Sequence, residues 1–83
     1  MKLLVVDDEA RIRELIKKYA TFEQYDVTEA ENGMQAVELC RQQDFDLIIM
    51  DVMMPDLDGF SACREIRKTS AVPILMLSAR GEE

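Results

Sequence analysis

Apolar residues in this chain fall in short clusters separated by charged and turn-forming stretches. Leu3-Leu4-Val5-Val6 is a continuous β-prone run, closed by Asp7-Asp8-Glu9. It predicts a buried central strand. The acids then open a helix, where unpaired amides and the helix dipole favour carboxylates. Ile12, Leu15, Ile16 and Tyr19 follow at helical spacing, an apolar stripe on a helix that ends near Phe22. Arg11, Arg13, Lys17 and Lys18 fall mostly off that stripe. Residues 25–30 alternate apolar and polar, the period of a half-exposed strand at a sheet edge. Glu31-Asn32-Gly33 is turn chemistry. Ala36, Val37 and Cys40, flanked by Met34 or Leu39, then predict a second helix over residues 34–43.

The next run, Leu47-Ile48-Ile49-Met50, reads as a strand buried on both faces. It delivers Asp51 to its carboxyl end, where open α/β sheets bind ligands. A loop bearing Pro55 follows, and Asp58 is placed to cap a third helix from Gly59. That helix has its stripe at Phe60, Cys63 (with Ala62) and Ile66, and both cysteines are expected to be buried as small hydrophobes. Thr69-Ser70-Ala71 form a polar exit, and residues 72–77 form another apolar strand. Pro73 suits the start of that strand, where no ladder donor is needed. A loop begins at Ser78. The order β-α-β-α-β-α-β calls for a single α/β unit with a parallel sheet and right-handed crossovers. The last strand is too apolar to be a comfortable sheet edge. More chain is therefore expected beyond Glu83, and part of an apolar sheet face should be exposed without it.

Charge narrows the function. The formal net charge is −7, which argues against a basic patch for nucleic acid or an anionic membrane. Clustered acids can instead hold a divalent cation. The two cysteines, Cys40 and Cys63, form neither a disulfide framework nor a metal-ligand spacing, and they fit a reducing, cytoplasmic setting. No apolar run is long enough to span a bilayer, and the amino terminus is unlike a signal peptide.

The acids carry the candidate chemistry. Asp7 and Asp8 end the first strand, and Asp51 ends the third. If those strands are neighbours, their ends lie about 5 Å apart. Carboxylates that close need a cation or a raised pKa. Mg²⁺ suits them, being a small hard ion that takes oxygen ligands and bridges carboxylates to phosphate. Asp8 and Asp51 would ligate directly, with a backbone carbonyl from the loop after Asp51. Ser78 ends the last strand with a hydroxyl for a phosphoryl oxygen. An Asp carboxylate can also be a nucleophile that forms an acyl phosphate. The chain has no His, so a phosphohistidine donor would be another protein or domain. Taken alone, Asp7-Asp8 is more often a solvated helix cap. Convergence of acids and a hydroxyl at one sheet edge favours the functional reading.

The residues Val5-Val6-Asp7-Asp8-Glu9, Ala30-Glu31-Asn32-Gly33, residues 46–60 from Asp46 to Phe60, and residues 73–80 from Pro73 to Arg80 occur in one order and spacing. In these the chain resembles a bacterial two-component response-regulator receiver domain, most like those attached to winged-helix DNA-binding domains. The resemblance implies a flavodoxin-like sheet of order 2-1-3-4, with the family's fifth strand and last two helices lying beyond residues 1–83. It implies Asp51 as phosphoacceptor, Asp8 as a direct Mg²⁺ ligand, Asp7 acting through water, and Met53 lending its backbone carbonyl. Ser78, with Ala79 beside it, matches the switch position that contacts the phosphoryl group. The implied donor is a histidine kinase. DNA would be reached only through another domain, and no membrane is involved. The family's catalytic Lys has no match among Lys2, Lys17, Lys18 and Lys68, so no independent enzyme activity is expected.

Rival readings fare worse. An EF-hand loop could use Asp56, Asp58, Gly59 and Glu65, but Met54 would fill its first position and a strand precedes it. A nucleotide-binding fold lacks a Gly-rich loop after the first strand. An acyl-phosphate phosphatase would need an acid where Met53 stands. The serious alternative is an interaction module that self-associates, for instance as a homodimer, through exposed apolar sheet surface but cannot switch.

Overall fold

Leu3, Leu4, Val5 and Val6 are almost wholly withdrawn from solvent, and the strand they form has a neighbour on each side. A computed structural model describes residues 1–77 of the chain. Its elements run β1 (Lys2–Val6), α1 (Ala10–Phe22), β2 (Asp26–Ala30), α2 (Gly33–Gln42), β3 (Leu47–Asp51), α3 (Gly59–Arg67) and β4 (Ile74–Leu77). The strands form one parallel sheet in the order β2-β1-β3-β4. This is the flavodoxin-like order, and the predicted alternation of elements holds throughout.

Each face of the sheet has its own core. On one, Leu4, Val6, Ile48 and Met50 pack with Ala36 and Val37 of α2 and Ala62 and Ile66 of α3. On the other, Leu3 and Val5 pack with Ala20 and Ile16 of α1, and with Val27, Leu47 and Ile49. Full burial of one such aliphatic side chain contributes roughly 1.5–3 kcal/mol. The second face is thinner, because α1 is its only described helix. Leu47 and Ile49 are accordingly half-buried rather than enclosed on both sides, and Leu75 is 53% exposed.

The expected stripe on α1 is corrected by the structure. Ile16 and Ala20 face the sheet, while Leu15 is 52% and Tyr19 67% exposed. Ile12 and Ile16 of the expected stripe are half-buried, but the line toward the sheet is half-buried Arg13 and Ile16 with buried Ala20, at i, i+3 and i+7, and a stem-bearing Arg can join such a face. Phe60 is likewise exposed; Gly59, Ala62 and Ile66 form the inner face of α3. Cys40 and Cys63 are half-buried, not enclosed. β4 starts at Ile74 rather than at residue 72, although the Pro73 carbonyl already accepts the Ile48 N–H.

Local chemistry sets the helix ends. Asn32 caps α2 by accepting the Gln35 N–H at 2.9 Å, and Asp58 caps α3 by accepting the Ser61 N–H at 2.9 Å. The acids before α1 do not cap it: the helix starts at Ala10, and the Glu9 side chain makes no capping bond. Instead, the Asp7 carboxylate accepts the Glu9 N–H at 2.9 Å. At the other end of α1, the Gln24 N–H donates to Thr21 O and the Tyr25 N–H to Ala20 O. That is a Schellman closure, with Gln24 in the left-handed position usually given to Gly, at φ 67°.

Candidate functional site

The register pairs Val6 of β1 with Met50 of β3, so the residues that follow them, Asp7 just past β1 and Asp51 at the end of β3, stand side by side at the carboxyl edge of the sheet. The chain steps outward in opposite directions from this pair of strands, β2 lying beyond β1 and β4 beyond β3. It is the switch point at which open α/β sheets leave a crevice. Asp7 and Asp51 are both 6% exposed, and Asp8 is exposed at the rim. One carboxylate oxygen from each of Asp7, Asp8 and Asp51 lies within 4.8 Å of the others.

The electrostatics follow from that crowding. Burial pushes the Asp51 carboxyl above its usual range, and the charges of Asp8 and Glu9 push the same way. The Met53 N–H, which donates to Asp51 Oδ1 at 3.4 Å, opposes the shift. Asp7 is also raised, chiefly by burial and then by Asp51 and Asp8, against the stabilising Glu9 N–H. Among the described residues no Lys or Arg forms an ion pair with any of the three. The donor set is all oxygen, anionic and uncompensated. It therefore fits a small hard divalent cation, whose charge would remove the repulsion.

The loop after β3 borders this cluster. Gly59 N–H donates to Val52 O at 2.8 Å and Leu57 N–H to Pro55 O at 2.8 Å. Asp56 takes a left-handed backbone, φ 69°, to complete the turn. An open cleft of about 500 Å³ lies over the loop, lined by Asp8, Met53, Met54, Pro55, Asp58 and Phe60 among others. Met53 is half-exposed and lines that cleft, while its N–H donates to Asp51. The structure thus brings together Asp7, Asp8, Asp51 and Met53. Ser78 and Ala79 lie outside the described residues.

Arg13 was not legible as part of this neighbourhood. Its Nη1 donates to the backbone carbonyl of Asp7 at 2.6 Å, and its Nε to Glu29 Oε1 at 3.0 Å. The available signal was its spacing from Ile16 and Ala20, which places it on the sheet-facing side of α1.

Residues 3–83 match the response regulator receiver domain family. The chain is 52% identical over 82 residues to the transcriptional regulatory protein ResD of Bacillus subtilis, covering 99% of this chain and 34% of ResD. It is 49% identical over 81 residues to a probable transcriptional regulator, ycf27, of Porphyra purpurea, covering 98% of this chain and 33% of that protein. The chain thus spans about a third of the length of these curated relatives. Among solved structures, the receiver domain of the Pseudomonas aeruginosa sensor histidine kinase PA1611, with a magnesium ion coordinated in its active-site cleft, superposes with a TM-score of 0.92 at 36% identity. That match covers 99% of this chain and 70% of the other. Thermotoga maritima response regulator TrrA, in complex with Mg²⁺-BeF, gives 0.89 at 40% identity, covering 94% and 69%.

Proposed function

Because the chain belongs to the response regulator receiver domain family, we propose that Asp51 accepts a phosphoryl group from a phosphohistidine on a partner kinase. The observation that carries this reading is the meeting of Asp7, Asp8 and Asp51 within 4.8 Å at the β1–β3 switch point. An Asp51 carboxylate oxygen attacks phosphorus as the N–P bond breaks, leaving an acyl phosphate on Asp51 and a neutral imidazole once a proton is taken up. The open cleft beside Met53 and Pro55 gives a donor room to approach.

Mg²⁺ is the cofactor in this reading: Asp8, Asp51 and the Met53 backbone carbonyl would hold it directly and Asp7 through water. When bound it would neutralise charge on the transferring group. Asp7 and Asp8 supply the negative charge that keeps the cation at the pocket, and burial of Asp51 keeps bulk water from its inner oxygen. Ser78 and Ala79 take the switch contact with the phosphoryl group. The chain acts as an acceptor rather than as an enzyme with a separate substrate. Its output is transcriptional, as the names of ResD and ycf27 suggest, and in this reading DNA is reached only through another domain. Among the described residues no helix is long and apolar enough to cross a membrane, and two free cysteines suit the cytoplasm.

Titration with Mg²⁺, followed by amide chemical shifts, tests the site. Shifts should centre on residues 7–8 and 51–53, and Asp51→Asn should abolish or greatly weaken them. Unchanged binding in that variant rejects the assignment. Met53→Ala should leave affinity nearly intact, because the proposed ligand is main chain. In a chain extended to family length, a small phosphodonor with Mg²⁺ should label Asp51. Label that persists in Asp51→Ala would falsify the choice of nucleophile.

A second reading rests on the thinly covered sheet face. Leu3, Ile16, Tyr19, Ala20, Leu47 and Ile49 line an almost wholly apolar groove there. Such a surface can pair two copies of the chain. Sedimentation at increasing concentration should then show dimers, and a monomer at high concentration rejects this reading.

A further inference from the structure

We infer that Arg13 is a positioning residue for the cation site, acting through the peptide that joins Asp7 to Asp8. This rests on the metal-binding reading above. Asp7 and Asp8 leave the sheet on a short connection between β1 and α1. Three bonds hold Asp7. Its N–H donates to Ala30 O at 3.2 Å, and its carboxylate accepts the Glu9 N–H. Its carbonyl, half of the peptide plane leading to Asp8, accepts Arg13 Nη1. Among the described residues the Asp8 side chain has no hydrogen bond of its own, so its direction depends on that plane.

The guanidinium is built for this hold. The Arg13 side chain is only 12% exposed, and Glu29 on β2 fixes its other edge at 3.0 Å. Lys17 also reaches Glu29, at 3.5 Å, and steadies that carboxylate. Arg13 directs these donors to Glu29 and a backbone carbonyl, and pairs with none of the three site carboxylates. This guanidinium thus orders the acids without neutralising them, leaving their charge for the cation. A planar fork can serve two acceptors at once; an ammonium of similar length is a compact point charge without that fixed geometry.

The test measures Mg²⁺ affinity by amide-shift titration and, separately, the melting temperature of the metal-free chain. A mere fastener between α1 and β2 changes melting alone. A positioning role predicts that Arg13→Ala and Arg13→Lys weaken Mg²⁺ binding by on the order of tenfold in protein that is still folded, as loss of a metal site's outer supports does. Glu29→Gln, which keeps an oxygen for Nε, should retain most of the affinity, and Glu29→Ala should not. Unchanged affinity in the folded Arg13 variants overturns the inference even if melting falls. If neither Arg13 variant folds, Glu29→Ala decides in the same way. Wild-type chain that takes up no Mg²⁺ overturns the underlying functional reading instead.

Discussion

The Gly59 N–H donates to the Val52 carbonyl at 2.8 Å, closing the loop that follows Asp51 into a tight ring at the head of α3. The approach leaves no space for a side chain. A methyl at Gly59 would press into the Asp51 carbonyl oxygen, and would lie 2.9 Å from both Val52 Cα and Met76 Cε. The loop bearing Met53 is therefore held to the strand that presents Asp51.

Gly59→Ala should thus disturb stability and site together. Two of the obstructing atoms are backbone, so the strand end must shift. A cost of about 1–3 kcal/mol, typical of overpacking, is expected in urea unfolding. Mg²⁺ binding should weaken in parallel.

Gln24 offers the opposite case. It occupies the left-handed closing position of α1 at φ 67°, with no glycine to relieve its Cβ. Gln24→Gly should stabilise the chain by up to about 1 kcal/mol, the removed strain being partly offset by greater freedom of the unfolded chain. A higher urea midpoint at constant slope checks this, and a lower midpoint counts against it.

Asn32 accepts the Gln35 N–H at the start of α2, and the Gln35 side chain in turn accepts the Glu31 N–H at 2.8 Å. Asn32→Ala should cost about 1 kcal/mol, and Asn32→Asp much less, since Asp caps equally well. Thermal unfolding of the three proteins separates these outcomes.

The acidic cluster imposes a pH dependence with a definite sign. The folded-state pKa values of Asp7 and Asp51 are raised, mainly by burial. Such groups contribute stability that is fully present below their unfolded pKa and is lost as pH rises through the folded one. In metal-free chain, the contribution of these two groups should therefore fall as pH rises from the carboxylate range toward neutrality. Asp51→Asn should flatten that fall and raise the neutral-pH melting temperature. Mg²⁺ should stabilise the wild type at neutral pH and leave the variant almost unmoved, because only a folded site binds it.

Element order could be read directly from residues. Leu3–Val6 and Leu47–Met50 are short apolar runs ended by acids, and Asp58 is legible as the cap of α3, whereas Asn32, the cap of α2, reads only as part of a turn. Such signals are local: they depend on residues within a turn or two. The buried side of α1 was not local. Ile12, Leu15, Ile16 and Tyr19 make a valid stripe, yet the sheet takes the line of Arg13, Ile16 and Ala20, and a stripe cannot say where its partner surface lies. Gln24 likewise shows no sign of a left-handed backbone, because the Tyr25–Ala20 closure imposes it.

The position of each acid at a strand end came from hydrophobic patterning alone, since each run of four apolar residues gives way directly to a carboxylate in the sequence. Whether those ends meet was a matter of strand pairing. Asp7 and Asp51 are neighbours because β1 and β3 are, a contact between distant stretches that no local period encodes. Arg13 gains its grip on the Asp7 carbonyl only once α1 has packed back across the strands and brought Glu29 within reach.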